Sequence, residues 1–410
     1  MEKDQLSPTS LPPMRQGPRP LLLNLILASL IGQSSIIALP LLKSGLLPWN
    51  PSLKEEALKL QQSLPQENLG PFLQALTQVN AQRLSQFLKG LEIYRGHSYR
   101  RNMPEPKIIW QEGSARLLDF GGEGRPCLFV PSLVNKAYIL DLLPERSLMR
   151  GLAQDGIRPF LLDWGSPNEE EIDFSLTDYI SGYLAKALQL VVVANKGQPV
   201  PILGYCMGGL LTLAAAQLYP NMVSKVAMLA TPWDFQQHRE GHARILLASF
   251  PAVAHLIELL GFFPVDALQM LFLSLDPALS ERKFRHLADK NPESEFVKEF
   301  VALEDWLNDG VPLSGPVARE ALKGWYGRNS TVKGRWRVAG QVIDPKQVNQ
   351  PALVVIPSKD RIVLPESSYP LGKLLPYSQI EELNAGHIGM VSSARGYKML
   401  HNLLSDWIKK

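Results

Sequence analysis

The sequence predicts an α/β architecture: a mostly parallel sheet, covered by helices on both faces and interrupted by a helical cap. Three observations carry that expectation. Between Lys107 and Ala230, apolar runs of strand length alternate with longer runs of helical period, joined by short loops. The strand-length runs are apolar throughout rather than at every second residue, as in strands buried on both sides. The alternation stops near Pro232, leaves only helical periods, and resumes at Ala352. An insertion of that kind lies over the carboxyl ends of the strands as a lid.

The bulk numbers narrow the function classes. A chain of 410 residues is long enough for one large domain plus an accessory segment. A net charge of +3, with no basic stripe interleaved with aromatics, argues against nucleic-acid binding. The two cysteines, Cys127 and Cys206, have no metal-ligand spacing. A bridge between them would consume a residue singled out below, so a reducing compartment, the cytoplasm, is expected.

Taken in order, residues 1–19 read as a disordered arm rich in Pro, Ser and Gln. Residues 20–100 read as an N-terminal helical segment, 101–231 and 346–410 as the α/β core, and 232–345 as the cap. From Pro20 to Leu42 there is no charged residue, a length that would allow a membrane span. Asn24, Gly32, Gln33, Ser34, Ser35 and Pro40 interrupt the run. Arg15 and Arg19 precede it, so a secretory signal also stays open, with a poor cleavage pattern. A helix packed on the core or lying on an apolar surface fits the run best. Leu53 to Ser63 reads as a short helix. Pro71 starts a longer one, with Phe72, Leu73, Leu76, Val79, Leu84, Phe87, Leu88 and Leu91 at helical spacing. Tyr94 to Arg101 is a basic–aromatic cluster, either a solvated turn or a phosphate-contact patch.

Ile108–Trp110 and Ala115–Phe120 predict a leading hairpin. Strands are expected at Cys127–Val130, Pro159–Trp164, Val200–Leu203 and Val223–Ala230, with helices over Glu145–Gln154 and Phe174–Ala194 between them. The cap shows helical periods at Ala243–Leu260, Val265–Leu275, Glu293–Leu307 and Val317–Tyr326. Strands return at Ala352–Ile356 and Ser378–Leu383, before a closing helix over Gly396–Ile408.

Within this frame Gly204-Tyr-Cys206-Met-Gly208 has the nucleophile-elbow pattern, with cysteine where serine usually stands. A buried strand precedes it and a Leu/Ala-rich helix follows, the context such a turn needs. The turn lifts the side chain out of the sheet and aims the first free N–H groups of the helix at charge developing beside it. A thiol needs a base to become a good nucleophile. In this architecture the acid and the histidine follow the nucleophile in chain order, each on a loop after a strand. Asp360 tops the strand Val354–Ile356, although Lys359-Asp360-Arg361 also reads as a surface turn capped by its own carboxylate. His387 sits in the glycine-flanked loop Asn384–Gly389 after the last strand. His238, His242, His255 and His286 lie in the cap, His401 in the terminal helix and His97 before the sheet, where packing roles are expected. The oxyanion donors would be the backbone N–H of Met207 and one from the loop Ser132–Asn135, placed at Val134.

Several motifs together resemble the polyhydroxyalkanoate (poly-3-hydroxybutyrate) synthases, polymerases of the α/β-hydrolase superfamily whose lipase-like box carries cysteine. They are Gly204–Gly209, Leu133–Leu142, Pro144–Ser147, Leu162–Pro167, Asp178–Ile180, Ala230–Phe235, Ser358–Asp360 and Gly386–Gly389, covering Tyr94 to the C-terminus. The resemblance implies an α/β-hydrolase fold and an acyltransferase that polymerises (R)-3-hydroxyacyl groups from coenzyme A. Cys206 would carry the acyl group as a thioester, His387 would deprotonate it, and Asp360 would orient His387 or serve the incoming hydroxyl. It implies no cofactor and no metal, coenzyme A entering as the substrate thioester. It also implies a polyester granule surface or membrane surface as a site of work, and a homodimer or a second synthase subunit as partner. A thioesterase or polyester hydrolase using the same triad is the alternative.

Overall fold

The computed structural model describes residues 14–64, 69–237 and 251–410. The chain divides into two compact units, one of Met1–Tyr99 with Asp276–Asn308, the other of Arg100–Leu275 with Asp309–Lys410.

The second unit is built on an eight-stranded sheet. Its strands are β1 (Lys107–Glu112), β2 (Ala115–Asp119), β3 (Pro126–Val130), β4 (Arg158–Asp163), β5 (Val200–Tyr205), β6 (Val223–Leu229), β7 (Ala352–Pro357) and β8 (Ser378–Leu383). They lie in the order β1-β2-β4-β3-β5-β6-β7-β8. β1 and β2 form the expected antiparallel hairpin, β2 joins β4 antiparallel, and every pairing from β4 to β8 is parallel. Every residue of β3, β5 and β7 is buried, which is why these runs carry no polar alternation. The register brings strand ends level: Tyr205 pairs with Leu229, Val355 with Leu229 and Pro357 with Leu383. The loops after β5, β6, β7 and β8 therefore leave one edge of the sheet together.

Helices differ in detail from expectation. The one placed at Glu145 starts at Leu148, because the Ser147 hydroxyl accepts from the Arg150 N–H and caps it, while Pro144–Arg146 is a 3₁₀ turn. The long helix before β5 contains a wide π turn over Tyr179–Leu184. A helix at Pro365–Leu374 was not anticipated. Its Pro370, Ser367, Ser368 and Gly372 read as loop, yet Pro365 suits a first turn, where the missing N–H costs nothing.

The cap is also different. Residues 251–260 and Val265–Leu275 are helical, Phe262–Phe263 pairs with Leu313–Ser314, and Gly315–Arg319 opens a helix that widens to a π turn at Glu320–Gly327. The first half of the helix read over Ala243–Leu260, with His238 and His242, lies outside the described residues. Asp276–Asn308, expected inside a single cap over 232–345, belongs instead to the first unit. The reason is apolar packing. An unforeseen helix, Leu279–Leu287, buries Phe284 and Leu287 with Phe87, Leu91 and Tyr94 of the helix Gly70–Gly96, and with Val297 and Val301 of Glu295–Asn308. Gly90 permits the approach: a Cβ there would stand 1.8 Å from the Phe284 carbonyl oxygen.

In the same unit, Leu21–Lys43 is one helix that buries Asn24, Ala28, Leu39 and Leu42, with Asn80 Nδ2 donating to the Gly32 carbonyl at 2.7 Å. Its other face exposes Leu22, Ile26, Leu30, Ile37 and Leu41. By length and composition it is long and apolar enough to cross a membrane. The arm expected over 1–19 is ordered at its described end, and residues 1–13 lie outside the described residues. Arg15 pairs with Asp305 at 2.6 Å and donates to the carbonyls of His97 and Tyr99. The basic–aromatic cluster is exposed at Gly96, Ser98 and Arg100 and elsewhere tied to the protein itself. Tyr94 is buried, Arg95 donates to the Arg15 carbonyl at 2.8 Å, and the His97 ring meets the Pro292 carbonyl at 2.9 Å. Arg101, in the second unit, pairs with buried Asp141 at 2.8 Å.

Candidate active site

At the end of β5 the chain turns through Cys206 with φ 56° and ψ −124°, a conformation rare for any residue with a Cβ. The strain is held by a Cys206 N–H bond to the Leu229 carbonyl at 2.8 Å and by the helix Met207–Leu218 closing against the sheet. The closing needs glycine on both sides. A Cβ on Gly204 would lie 2.4 Å from the Gly208 carbonyl oxygen, and one on Gly208 would lie 2.1 Å from that of Val130. Cys206 is half-buried, Cys127 is buried in β3, and both are free thiols. Burial alone pushes the Cys127 thiol far up, so it stays protonated and inert.

Asp360 and His387 meet. His387 Nδ1 stands 2.6 Å from Asp360 Oδ2, with the Asp360 side chain fully buried. The other oxygen, Oδ1, accepts from the N–H groups of Ile362 and Val363 at 2.8 and 2.9 Å. The turn-capping role and the pairing with His387 therefore coexist on one carboxylate, one oxygen each. Behind the ring, the Tyr205 hydroxyl donates to the His387 carbonyl at 3.1 Å, and the two rings lie 5.4 Å apart. Burial opposes a charged imidazole here. The charge of Cys206, the hydrogen bond and charge of Asp360, and a hydrogen bond with Cys206 outweigh it, raising the His387 pKa to about 10. The histidine is thus held toward its imidazolium form between an acid and a thiol.

The expected oxyanion donors have different surroundings. Met207 is the first residue of its helix, where a backbone N–H has no intrahelical acceptor. The Val134 N–H donates to the Ser132 hydroxyl of its own loop at 3.2 Å. That loop is pinned by the Val311 N–H bond to the Val134 carbonyl at 3.0 Å and by a bridge from Asn135 to Gly310. His255, His286, His401 and His97 are not gathered with these residues; His401 stacks on Tyr397 and His97 meets Pro292. Among the described residues no cluster of His, Cys, Asp or Glu has the form of a metal site.

The loop after β6 forms the neighbouring wall. Asn329, at φ 50°, accepts from the Phe235 N–H at 3.1 Å and donates to Asp234 at 2.7 Å, while the Thr331 hydroxyl donates to the Trp233 carbonyl at 2.5 Å. Phe235 then meets Trp325 and Tyr326 of the π turn. Tyr205 and Tyr326 are both kept protonated well beyond the ordinary tyrosine range, first by burial and then by the charge of Cys206. Neither tyrosine was singled out from sequence. Tyr205 occupies a variable position of the elbow motif, and nothing in the spacing around Tyr326 announces a π turn.

Comparison with known proteins supplies the context. A model of the alpha/beta hydrolase fold matches residues 128–394. The poly(3-hydroxyalkanoate) polymerase subunit PhaC of Thiocystis violacea is 30% identical over 288 residues, 70% of this chain and 81% of that protein. The subunit of the same name from Synechocystis sp. is 28% identical over 341 residues, 79% of this chain and 90% of its relative. That from Haloferax mediterranei is 28% identical over 309 residues, and the match spans 63% of its length.

Proposed function

Because this chain belongs to the poly(3-hydroxyalkanoate) polymerase family, and with it to the alpha/beta-hydrolase fold, we propose that it polymerises (R)-3-hydroxyacyl groups delivered as coenzyme A thioesters, with Cys206, His387 and Asp360 as its triad. The observation that carries the assignment of roles is the buried Asp360–His387 pair at 2.6 Å beside a strained, half-buried cysteine. His387 accepts the Cys206 proton, and the thiolate attacks the thioester carbonyl. An S–C bond forms to Cys206, the bond to the coenzyme A sulfur breaks, and coenzyme A departs as a thiol with the proton from His387. A hydroxyl, that of a second hydroxyacyl group or of a chain end, then attacks the Cys206 thioester. Its proton passes to the base, an ester forms, and the cysteine is released. Both steps pass through an oxyanion that the Met207 N–H would receive, with Val134 as second donor once its bond to Ser132 opens. Thioester exchange keeps the acyl group activated until a hydroxyl arrives, so no cofactor or metal enters the scheme.

The relatives named above are called subunits, which supports a partner subunit or a second copy as part of the working enzyme. The exposed apolar face of Leu21–Lys43 supports work at a polyester granule or membrane surface. The deciding experiment incubates purified protein and Cys206→Ala with 3-hydroxybutyryl-CoA, following coenzyme A release and product together. Release with insoluble polyester, lost in the variant, is expected. Release with only free hydroxy acid would replace this reading with a thioesterase.

A further inference from the structure

We infer that Arg328, Lys333, Arg335 and Arg337 bind the phosphate groups of coenzyme A, an assignment that rests on the reading of Cys206 as the residue that takes the acyl group. Charge points there first. Residues 328–337 carry these four cations and no acid, while the whole chain has a net charge of only +3. Without the four, the remainder of the chain is net negative. All four are exposed, and among the described residues none pairs with a carboxylate. Arg337 donates to the Gly340 carbonyl at 2.8 Å, which leaves its charge uncompensated. Like charges at this density repel one another, and a bound polyanion relieves that repulsion.

Placement points the same way. The stretch is folded back on itself: the Lys333 N–H donates to the Asn329 carbonyl at 3.1 Å, and the N–H groups of Arg335 and Trp336 donate to the Ser330 carbonyl at 2.8 and 3.0 Å. Asn329, Ser330, Thr331 and Trp336 are buried while the cations between and beside them stay outside. The buried side is tied to the loop after β6, through the Phe235 N–H bond to Asn329 and the Thr331 hydroxyl bond to the Trp233 carbonyl. That loop follows Leu229, whose carbonyl holds the Cys206 N–H at 2.8 Å. The cations therefore sit one loop outward from the nucleophile. Coenzyme A has the shape for such a gap, with its thioester at one end of the pantetheine arm and a pyrophosphate and a ribose phosphate at the other. Three of the four cations are arginines, whose forked donors meet phosphate oxygens two at a time.

The test sets the native protein beside the double variant Lys333→Glu, Arg335→Glu, with two substrates. One is 3-hydroxybutyryl-CoA; the other is 3-hydroxybutyryl-N-acetylcysteamine, the same thioester without phosphates. For the coenzyme A thioester KM should rise about tenfold with kcat little changed, and the rise should shrink as salt is added. For the N-acetylcysteamine thioester KM should stay within about twofold, since no charge is left for the variant to repel. Arg328→Ala with Arg337→Ala should move KM the same way by less, and carries the test if the double variant does not fold. An unchanged KM for the coenzyme A thioester in the folded double variant, or an equal rise for both thioesters, overturns the proposal. So does an unchanged KM joined to lost binding of anionic phospholipid vesicles, which would give the patch to a lipid surface. Titration with coenzyme A alone separates this site from the polymerase reading. Binding that the double variant weakens, in a protein that turns over neither thioester, would sink that reading and leave this one standing.

Discussion

Replacing Asp360 by Asn should disable the site through a proton rather than through the fold. The two N–H groups of Ile362 and Val363 both point at Asp360 Oδ1, so the amide oxygen of an asparagine must occupy that place. Its NH2 group would otherwise face two donors. The amide is then forced to present N–H to His387 Nδ1, where the carboxylate oxygen accepts at 2.6 Å today. Nδ1 becomes an acceptor, the ring proton moves to Nε2, and the histidine can no longer take the proton of Cys206. The wrong tautomer in a comparable triad lowers turnover on the order of 10⁴-fold. A cysteine depends less on its base than a serine does, so a loss of about 10³-fold, roughly 4 kcal/mol of barrier, is expected here. The assay is coenzyme A release from 3-hydroxybutyryl-CoA under saturating substrate. The variant should still fold, since shape and the turn-capping bonds are kept, although with a lower melting temperature once the charge of Asp360 no longer holds the His387 imidazolium. Turnover within about threefold of the native protein, with the fold intact, would refute the tautomer argument.

Three further outcomes follow from named contacts. His387 has a folded pKa raised to about 10 from an unfolded 6.5, so its protonated form stabilises the fold fully below pH 6.5 and progressively less as pH rises toward 10. The difference in melting temperature between the native protein and His387→Gln should shrink across that window; a difference that grows would contradict the sign. Gly90→Ala should destabilise although alanine favours helix by about 1 kcal/mol, because its Cβ would meet the Phe284 carbonyl. A net loss of about 1–3 kcal/mol, read as a lower urea midpoint, is expected. Asn329→Ala loses the bonds to Phe235 and Asp234 and places a Cβ-only residue at φ 50°. About 2–4 kcal/mol of stability should go with it, and Asn329→Gly should recover the backbone part alone.

What was legible in the sequence divides along physical lines. The strands β3, β4, β5 and β7 were readable because burial on both faces leaves nearly uninterrupted apolar runs, and Cys206 and Asp360 because each tops such a run, whereas Ser378–Leu383 is a half-exposed edge strand and His387 was readable from its glycine-flanked loop. The meeting of Asp360 and His387, 27 residues apart, follows from the parallel pairing of β7 with β8. What stayed hidden was set by tertiary packing. Leu279–Leu287 has four charged residues in nine and shows its purpose only through Phe284 and Leu287 against another helix. Pro365–Leu374 carries the composition of a loop. The π turn bearing Tyr326 has no local signature, because its widening is fixed by what Trp325 and Tyr326 lean on rather than by propensity. For Tyr94–Arg101, composition alone could not say that Arg95, His97 and Arg101 would meet carbonyls and a carboxylate of the protein itself.

The first unit is assembled from chain segments that are made at different times. About 180 residues separate Tyr99 from Asp276, and at about 5–20 residues per second a ribosome needs roughly 10–35 s to supply them. Throughout that interval Phe87, Leu91 and Tyr94 have no Phe284, Val297 or Val301 to close on, and Arg15 has no Asp305. The nascent helices Leu21–Lys43 and Gly70–Gly96 must therefore wait with both an inner and an outer apolar face uncovered, an invitation to chaperone capture during synthesis. Expression yield should accordingly respond to translation speed and holdase supply far more than the melting temperature of the finished protein would suggest.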